Sequence, residues 1–244
     1  MNITPHNPLD GERPDLNIKL HDGSESHVSI VVVHKDQPPY LNICLQTIAV
    51  CSFNNNYEII VSDNGSGKET QDFLDELQSQ DIKVIKNEKN LYFSAAANKG
   101  ASYIDKHSKY IIFMHSDVVV LNPAWIDLLI SVSETNKSGM VGIELHTYYL
   151  QDQRVDFVED WLVLFTRECW DACGPWPEQL PQVGHGFIMT MKAQQKGFHP
   201  QIMKNPICHH YRTFGLDINE YERLTENAMI TIPKMINDIR TQAV

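Results

Sequence analysis

The sequence predicts a doubly wound α/β domain on a single, mostly parallel sheet flanked by helices. Three observations carry that expectation. Short, mainly apolar runs occur at Val28–Val33, Tyr57–Ser62, Ile82–Ile85 and Tyr110–Met114. The segments between them carry apolar residues at helical spacing. The strongest runs are continuous rather than alternating, the pattern of strands covered on both faces. Four strands alternating with three helices read as successive βαβ units.

The elements follow in order. Residues 1–27 are polar, with Pro5, Pro8 and Pro14 and little periodicity, and are expected to form a flexible tail. The β-branched run VSIVVV is the first strand. Pro38 and Pro39 open a helix whose Leu41, Cys44, Leu45 and Ile48 share a face. The second strand ends in Asp63-Asn64-Gly65-Ser66, and Phe73, Leu74 and Leu77 mark one face of the next helix. An alanine-rich helix spans Phe93–Ile104, followed by the strand that ends at His115-Ser116-Asp117.

The second half is less regular. It reads as a helix over Trp125–Val132, a strand over Met140–His146, a strand within Val155–Phe165 and a helix over Arg167–Cys173. Gly174-Pro175-Trp176-Pro177 forms a rigid aromatic loop, Phe187–Gln195 a helix closed by Gly197, and Pro200–Ile207 an extended segment. Residues 217–244 are expected to be a helical segment packed on the main domain, residues 28–216, with Pro233 as a break or a new start. No linker divides the halves.

Composition narrows the function. The formal charge of −11 argues against a nucleic-acid or anionic-membrane surface. Five unevenly spaced cysteines fit a reduced, cytoplasmic setting better than a disulfide framework. Cys169 and Cys173 lack a second pair for a zinc site and read as helix packing residues. No signal peptide is expected, and no apolar run is long enough to span a bilayer. Polar residues at the carboxyl ends of parallel strands stand where such sheets bind ligands. His115 and Asp117, two apart in an extended segment, point the same way and could hold a divalent cation.

Four blocks carry a further signal: VSIVVVHKDQPPYLNICLQTI, YEIIVSDNGSGKET, KNLYFSAAANKG and YIIFMHSDVVVLNPAWI. In this order and spacing they resemble the family 2 glycosyltransferases, which have the GT-A fold. The resemblance covers Val28–Leu129 and continues more weakly through FTRECWDACGPWPE to Gly197. It implies an enzyme that moves a sugar from a nucleotide-diphosphate donor, with a UDP-sugar favoured. The acceptor would be a hydroxyl on a glycan, a glycolipid precursor or another compound.

The resemblance also implies roles. His34, Asp36 and Asp63 would bind the nucleotide, and a carboxylate at Asp63 suits a pyrimidine ring N–H. Asp63 also fits an ordinary Asp-Asn-Gly turn. Asn98 would face the sugar-nucleotide, and Tyr92 replaces a family glycine. His115-Ser116-Asp117 stands at the Asp-x-Asp position, so Asp117 would bind Mn²⁺ or Mg²⁺. Imidazole at His115 suits Mn²⁺ better, although His115 and Ser116 could also contact the donor. His209 or His210 would complete the metal site, with only one of the adjacent pair facing it, and Arg212 would pair with a phosphate.

At the base the chain departs from the family. His185 and Gly186 stand where an acidic Glu-Asp pair is usual. His185 could take the acceptor's proton, with Asp160 and Glu178 as further candidates. Trp176 and Trp161 could stack on an acceptor sugar. Two rivals remain: a non-catalytic sugar-nucleotide-binding module, and an enzyme glycosylating a modified nucleic-acid base, which the acidic composition opposes.

Overall fold

The computed structural model describes residues 27–52, 55–78, 82–150, 153–213 and 217–241. The expected tail therefore lies outside the described residues, apart from His27. His27 is tied in through a backbone bond to Asn56 and an edge-on contact with Tyr110.

The first half alternates as its periodicity requires. Strands β1 (Val28–His34), β2 (Tyr57–Asp63), β3 (Lys83–Lys86) and β4 (Tyr110–His115) are separated by helices α1 (Pro38–Cys51), α2 (Lys68–Gln78) and α3 (Tyr92–Ala101). All four strands are parallel. Ile30, Val32, Ile112 and Met114 pack on one face with Leu41, Leu45, Ile48 and Leu74. Val31, Ile111 and Phe113 pack on the other with Phe93 and Ala97. Because both faces are covered, the strands lack polar alternation.

In the second half come β5 (Val118–Val120), α4 (Trp125–Asn136), β6 (Met140–Gly142), β7 (Leu145–Leu150), β8 (Gln153–Val158), β9 (Leu162–Thr166) and α5 (Arg167–Cys173). They are followed by α6 (His185–Gln195), β10 (Gln201–Ile202), β11 (Cys208–His210) and α7 (Ile218–Thr241). The seven-stranded sheet has the order β10-β6-β9-β4-β1-β2-β3, and β9 runs against its neighbours β4 and β6.

Four expectations are corrected here. Met140–His146 and Val155–Phe165 each divide: β6 and β9 join the main sheet, while β7 and β8 pair as a separate hairpin. The break falls at Glu159-Asp160, where the chain turns back into the sheet. Helix α3 ends at Ala101 rather than Ile104, its last turn closed by the Ser102 N–H on the carbonyls of Asn98 and Lys99. Pro233 neither breaks nor starts α7, which runs through it. Apolar packing of Ala228, Ile232, Ile236 and Ile239 against Phe187 and Ile188 holds that helix on both sides of the proline.

The reversed strand matters for the site. The carboxyl ends of β1, β2 and β4 lie side by side, with His34 opposite Asp63 and Val33 opposite His115. An antiparallel strand brings its amino end to that same edge. The Trp161 carbonyl accepts the His115 N–H at 3.0 Å, so Asp160 and Trp161 arrive beside the polar end of β4. The small β5–β11 ribbon does likewise for His210, which pairs with Val118 next to Asp117. None of the described helices is long and apolar enough to cross a membrane.

Candidate active site

A cavity of about 510 Å³ opens at this edge. His34, His115, Ser116, Asp117, Asp160, Trp161, His185, His210 and Arg212 all line it.

At its floor, His115, Asp117 and His210 bring one ligand atom each to within 4.8 Å of one another. The Asp117 carboxylate accepts the Thr213 N–H at 2.8 Å and hydroxyl at 2.9 Å, and meets His210 Nε2 at 3.2 Å. Burial works to raise its pKa, but the His210 contact, the His115 and His210 rings and the Thr213 N–H together hold it well below the usual carboxylate range. It is therefore charged under any ordinary condition. His115 Nε2 lies 3.4 Å from Asp160 Oδ2, the outer carboxylate partner that a metal-binding imidazole usually has. Two imidazoles and one carboxylate suit Mn²⁺ better than Mg²⁺, which holds to oxygen ligands and water.

Above this floor sits Asp160. Its Oδ2 meets both His115 and His185, the latter through a very short contact with Nε2. Burial would raise its pKa, yet the two imidazoles hold it well below the ordinary value. His185 is 2% exposed, stacks on Phe93 at 4.9 Å and meets the edge of Trp176. Nε2 is taken by Asp160, and Nδ1 is buried without a partner among the described residues. Neither ring nitrogen is open to an incoming hydroxyl, so the geometry makes His185 a support for Asp160.

Several expected residues stand elsewhere. Asp63 is fully buried, and its carboxylate accepts from Ser66 N–H at 3.2 Å, the Ser66 hydroxyl and Gln71 Nε2 at 2.8 Å. It closes its own turn, because the short Asp-Asn-Gly-Ser connection folds back over it. Asp36 binds Lys35 Nζ at 2.9 Å and the Gly67 N–H at 2.8 Å, so it ties two loops together outside the cavity lining. Asn98 clamps the aromatic loop: it donates to the Trp176 carbonyl and to Glu178, and accepts the Trp176 N–H. Glu178 is thereby held outside the cavity. Trp176 is wholly buried among Phe93, Phe113, Phe165 and Trp170, so it has no face for a sugar. His209 faces outward against Tyr211, since alternation along β11 turns His210 inward.

Other residues in the wall escaped the sequence reading. Glu144, His146, Thr147, Glu159 and Thr213 all line the cavity. Arg212 Nη2 reaches both Glu144 oxygens at 2.8 and 2.9 Å, and Trp161 Nε1 adds a third bond at 2.8 Å. His146 bridges Glu144 and Glu159, each at 3.2 Å. The acidic pair before WLVLF was the available signal, and only Asp160 of that pair drew notice.

Tyr92 stands in the left-handed region that favours glycine, at φ 61°. Its hydroxyl reaches α7, donating to Glu220 Oε1 at 2.5 Å.

The sequence profile described as Glycosyl transferase family 2 matches residues 29–175, more than half of the chain. The chain belongs to glycosyl transferase family 2. The O-antigen biosynthesis protein RfbC of Myxococcus xanthus is 27% identical over 119 residues, 48% of this chain and 9% of that protein. The chain thus spans a small part of such relatives. Among solved structures, mannosyltransferase PcManGT from Pyrobaculum calidifontis, in complex with GDP-Man and Mn²⁺, superposes with a TM-score of 0.63 at 12% identity. That match covers 85% of this chain and 62% of the other. S. aureus TarS 1-349 in complex with UDP gives 0.59 at 13% identity, covering 83% and 64%. At such identities the likeness is one of fold, the GT-A arrangement.

Proposed function

We propose that the protein moves a sugar from a nucleotide-diphosphate donor, with UDP favoured, to a hydroxyl of a glycan, glycolipid precursor or similar acceptor. The observation that carries this reading is the His115–Asp117–His210 cluster on the cavity floor, at the sheet edge where α/β folds bind ligands. Structural neighbours bound to GDP-Man and to UDP support the nucleotide-sugar class. The five free thiols fit a cytoplasmic setting, and the charge of −11 fits a partner other than nucleic acid.

Each residue has a part in this reading. His115, Asp117 and His210 hold the cation, Mn²⁺ in preference to Mg²⁺, and Asp160 orients His115. When bound, the cation offsets charge on the departing diphosphate. Ser116 and His34, joined through Nδ1 at 2.9 Å, and the Arg212 guanidinium line the donor side. The Trp161 indole stacks on His210 at 4.8 Å and stiffens the metal side of the wall.

Calorimetry of UDP with Mn²⁺ and with EDTA tests this, alongside release of UDP from a panel of UDP-hexoses. Equal UDP affinity with and without the metal would falsify the metal-assisted reading. A binding module without turnover is the second reading, favoured by the missing acids at positions 185 and 186. UDP binding without UDP release from any sugar would establish it.

A further inference from the structure

Single displacement at a sugar carbon needs a group that takes the acceptor's proton. The start of α6 offers His185, which is closed off, and Gly186, which has no side chain. Four carboxylates line the cavity, and three of them are engaged. Asp117 is held by Thr213 and His210, Glu144 by Arg212 and Trp161, and Asp160 by His115 and His185. Among the described residues Glu159 meets a single side chain from another element, His146 at 3.2 Å, beside its chain neighbour Asp160, and 25% of its side chain is open.

We propose, on the transferase reading above, that Glu159 is the catalytic base, presented by the turn between β8 and β9. The backbone there is fixed from three sides. Val158 N–H donates to Thr190 Oγ1 of α6 at 3.1 Å, and Glu159 N–H to the Glu144 carbonyl at 3.1 Å. The third restraint is the absence of a side chain at Gly186, where a Cβ would stand 2.6 Å from the Val158 carbonyl oxygen and 3.8 Å from Asp160 N. Glycine at 186 thus lets the acidic turn lie on the first turn of α6. The acid absent from the helix is supplied from the strand turn seated on it.

The step balances without a further reactant. The acceptor oxygen forms its bond to the sugar's anomeric carbon, and its proton passes to the Glu159 carboxylate. The bond from that carbon to the diphosphate oxygen breaks, and its electron pair leaves with the nucleoside diphosphate. The groups facing Glu159 are His146 from β7, Glu144 just before it, Asp160 beside it, His185 from α6 and His115 from β4. Burial pushes the Glu159 carboxyl up, to about 7, Asp160 adds to the rise, and His146 and His185 oppose it. A base poised near neutrality suits proton abstraction at physiological pH.

The test uses the full chain with Mn²⁺, UDP-glucose and UDP-N-acetylglucosamine as donors, and water or methyl glycosides as acceptors. Glu159→Gln keeps the shape of the side chain and loses the base. UDP release is expected to fall by about 10²–10⁴-fold, with the Kd for UDP within about threefold of wild type. The wild-type rate rises with pH as the carboxyl ionises, and Glu159→Gln flattens that limb. His146→Gln moves it to higher pH, because a contact favouring the carboxylate is gone. Release within about threefold of wild type in Glu159→Gln overturns the assignment. So does an unmoved limb in His146→Gln, or loss of UDP binding in Glu159→Gln, which would put the residue in the donor site. Wild-type protein that binds UDP but releases none from either donor fails as a transferase, which is a different result.

Discussion

Two groups of polar side chains meet at the same sheet edge and are used differently. Those at the ends of β1 and β2 are turned inward on their own neighbours. Asp63 closes its turn through Ser66 and Gln71, and Asp36 bridges to Gly67. His34 is buried and bonded to Ser116. Those contributed by the second half, Glu144, His146, Glu159 and Asp160, crowd one another around an open cavity. The first group makes a stiff frame, with Asp63 closed on its own turn and Asp36 and His34 tied across neighbouring loops to Gly67 and Ser116. The second flanks the single β7–β8 hairpin, and its charges are held by each other and by His115, His185 and Arg212 brought from distant segments. Crowded, partly buried charges are the ones whose proton affinities shift, which is what proton-transfer chemistry requires.

Breaking the junction between the groups has the largest expected effect. Asp117 stands where the first half ends and His210 returns. Asp117→Ala is expected to lower turnover by about 10²–10³-fold, the several kcal/mol a catalytic cation supplies. The same change should abolish any difference between Mn²⁺ and EDTA in UDP calorimetry.

The frame itself has a pH signature. Burial drives the His34 pKa down to about 4, against the opposing pull of Asp63 and Asp36. Its folded pKa is thus below the unfolded value near 6.5, so the unfolded chain binds the extra proton between these limits. The stability from a neutral His34 is fully present above about pH 6.5 and is lost as pH falls toward 4. Urea unfolding of wild type and His34→Gln at pH 7 and pH 4.5 should converge by up to about 3 kcal/mol on acidification. Parallel losses in the two proteins would remove His34 from this account.

Gly186→Ala probes the seam between α6 and the acidic turn. The added Cβ meets the Val158 carbonyl, and relieving that overlap should cost about 1–3 kcal/mol. UDP release should drop while UDP affinity holds. An unchanged melting temperature would show that the turn is not seated as described.

Asp63→Asn separates turn from ligand. If the carboxylate serves the frame, stability falls by about 1–2 kcal/mol as charge-assisted bonds weaken, and UDP affinity stays put. Weaker UDP binding at unchanged stability would return Asp63 to the nucleotide site. The smallest effect belongs to Tyr92→Phe. Losing the hydroxyl that meets Glu220 should cost about 1 kcal/mol, read by thermal melting.

The sequence by itself determined the alternation of the first half, the parallel strands and the polar edge. Those follow from local periodicity, because a strand covered on both faces has to be apolar throughout. Four motif blocks also marked the family. His115 and Asp117 could be paired from their spacing alone, and the neighbouring histidines at 209 and 210 could be narrowed to one. Tertiary structure decided the rest. Strand β9 runs against its neighbours and so delivers Asp160 to His115, 45 residues away. Helices between β1, β2, β3 and β4 mark parallel crossovers, but β9 follows the β7–β8 hairpin with no helix between, so the sequence left its reversal unreadable. Trp176 and Trp161 are the same residue type on either side of α5, yet one is sealed in the core and the other lines the cavity. Likewise a glycine at 186 reads only as an absent acid until the Val158 carbonyl is seen to occupy its space. Local sequence sets what each segment wants to bury, but contacts between distant segments decide which charges are left facing the cavity.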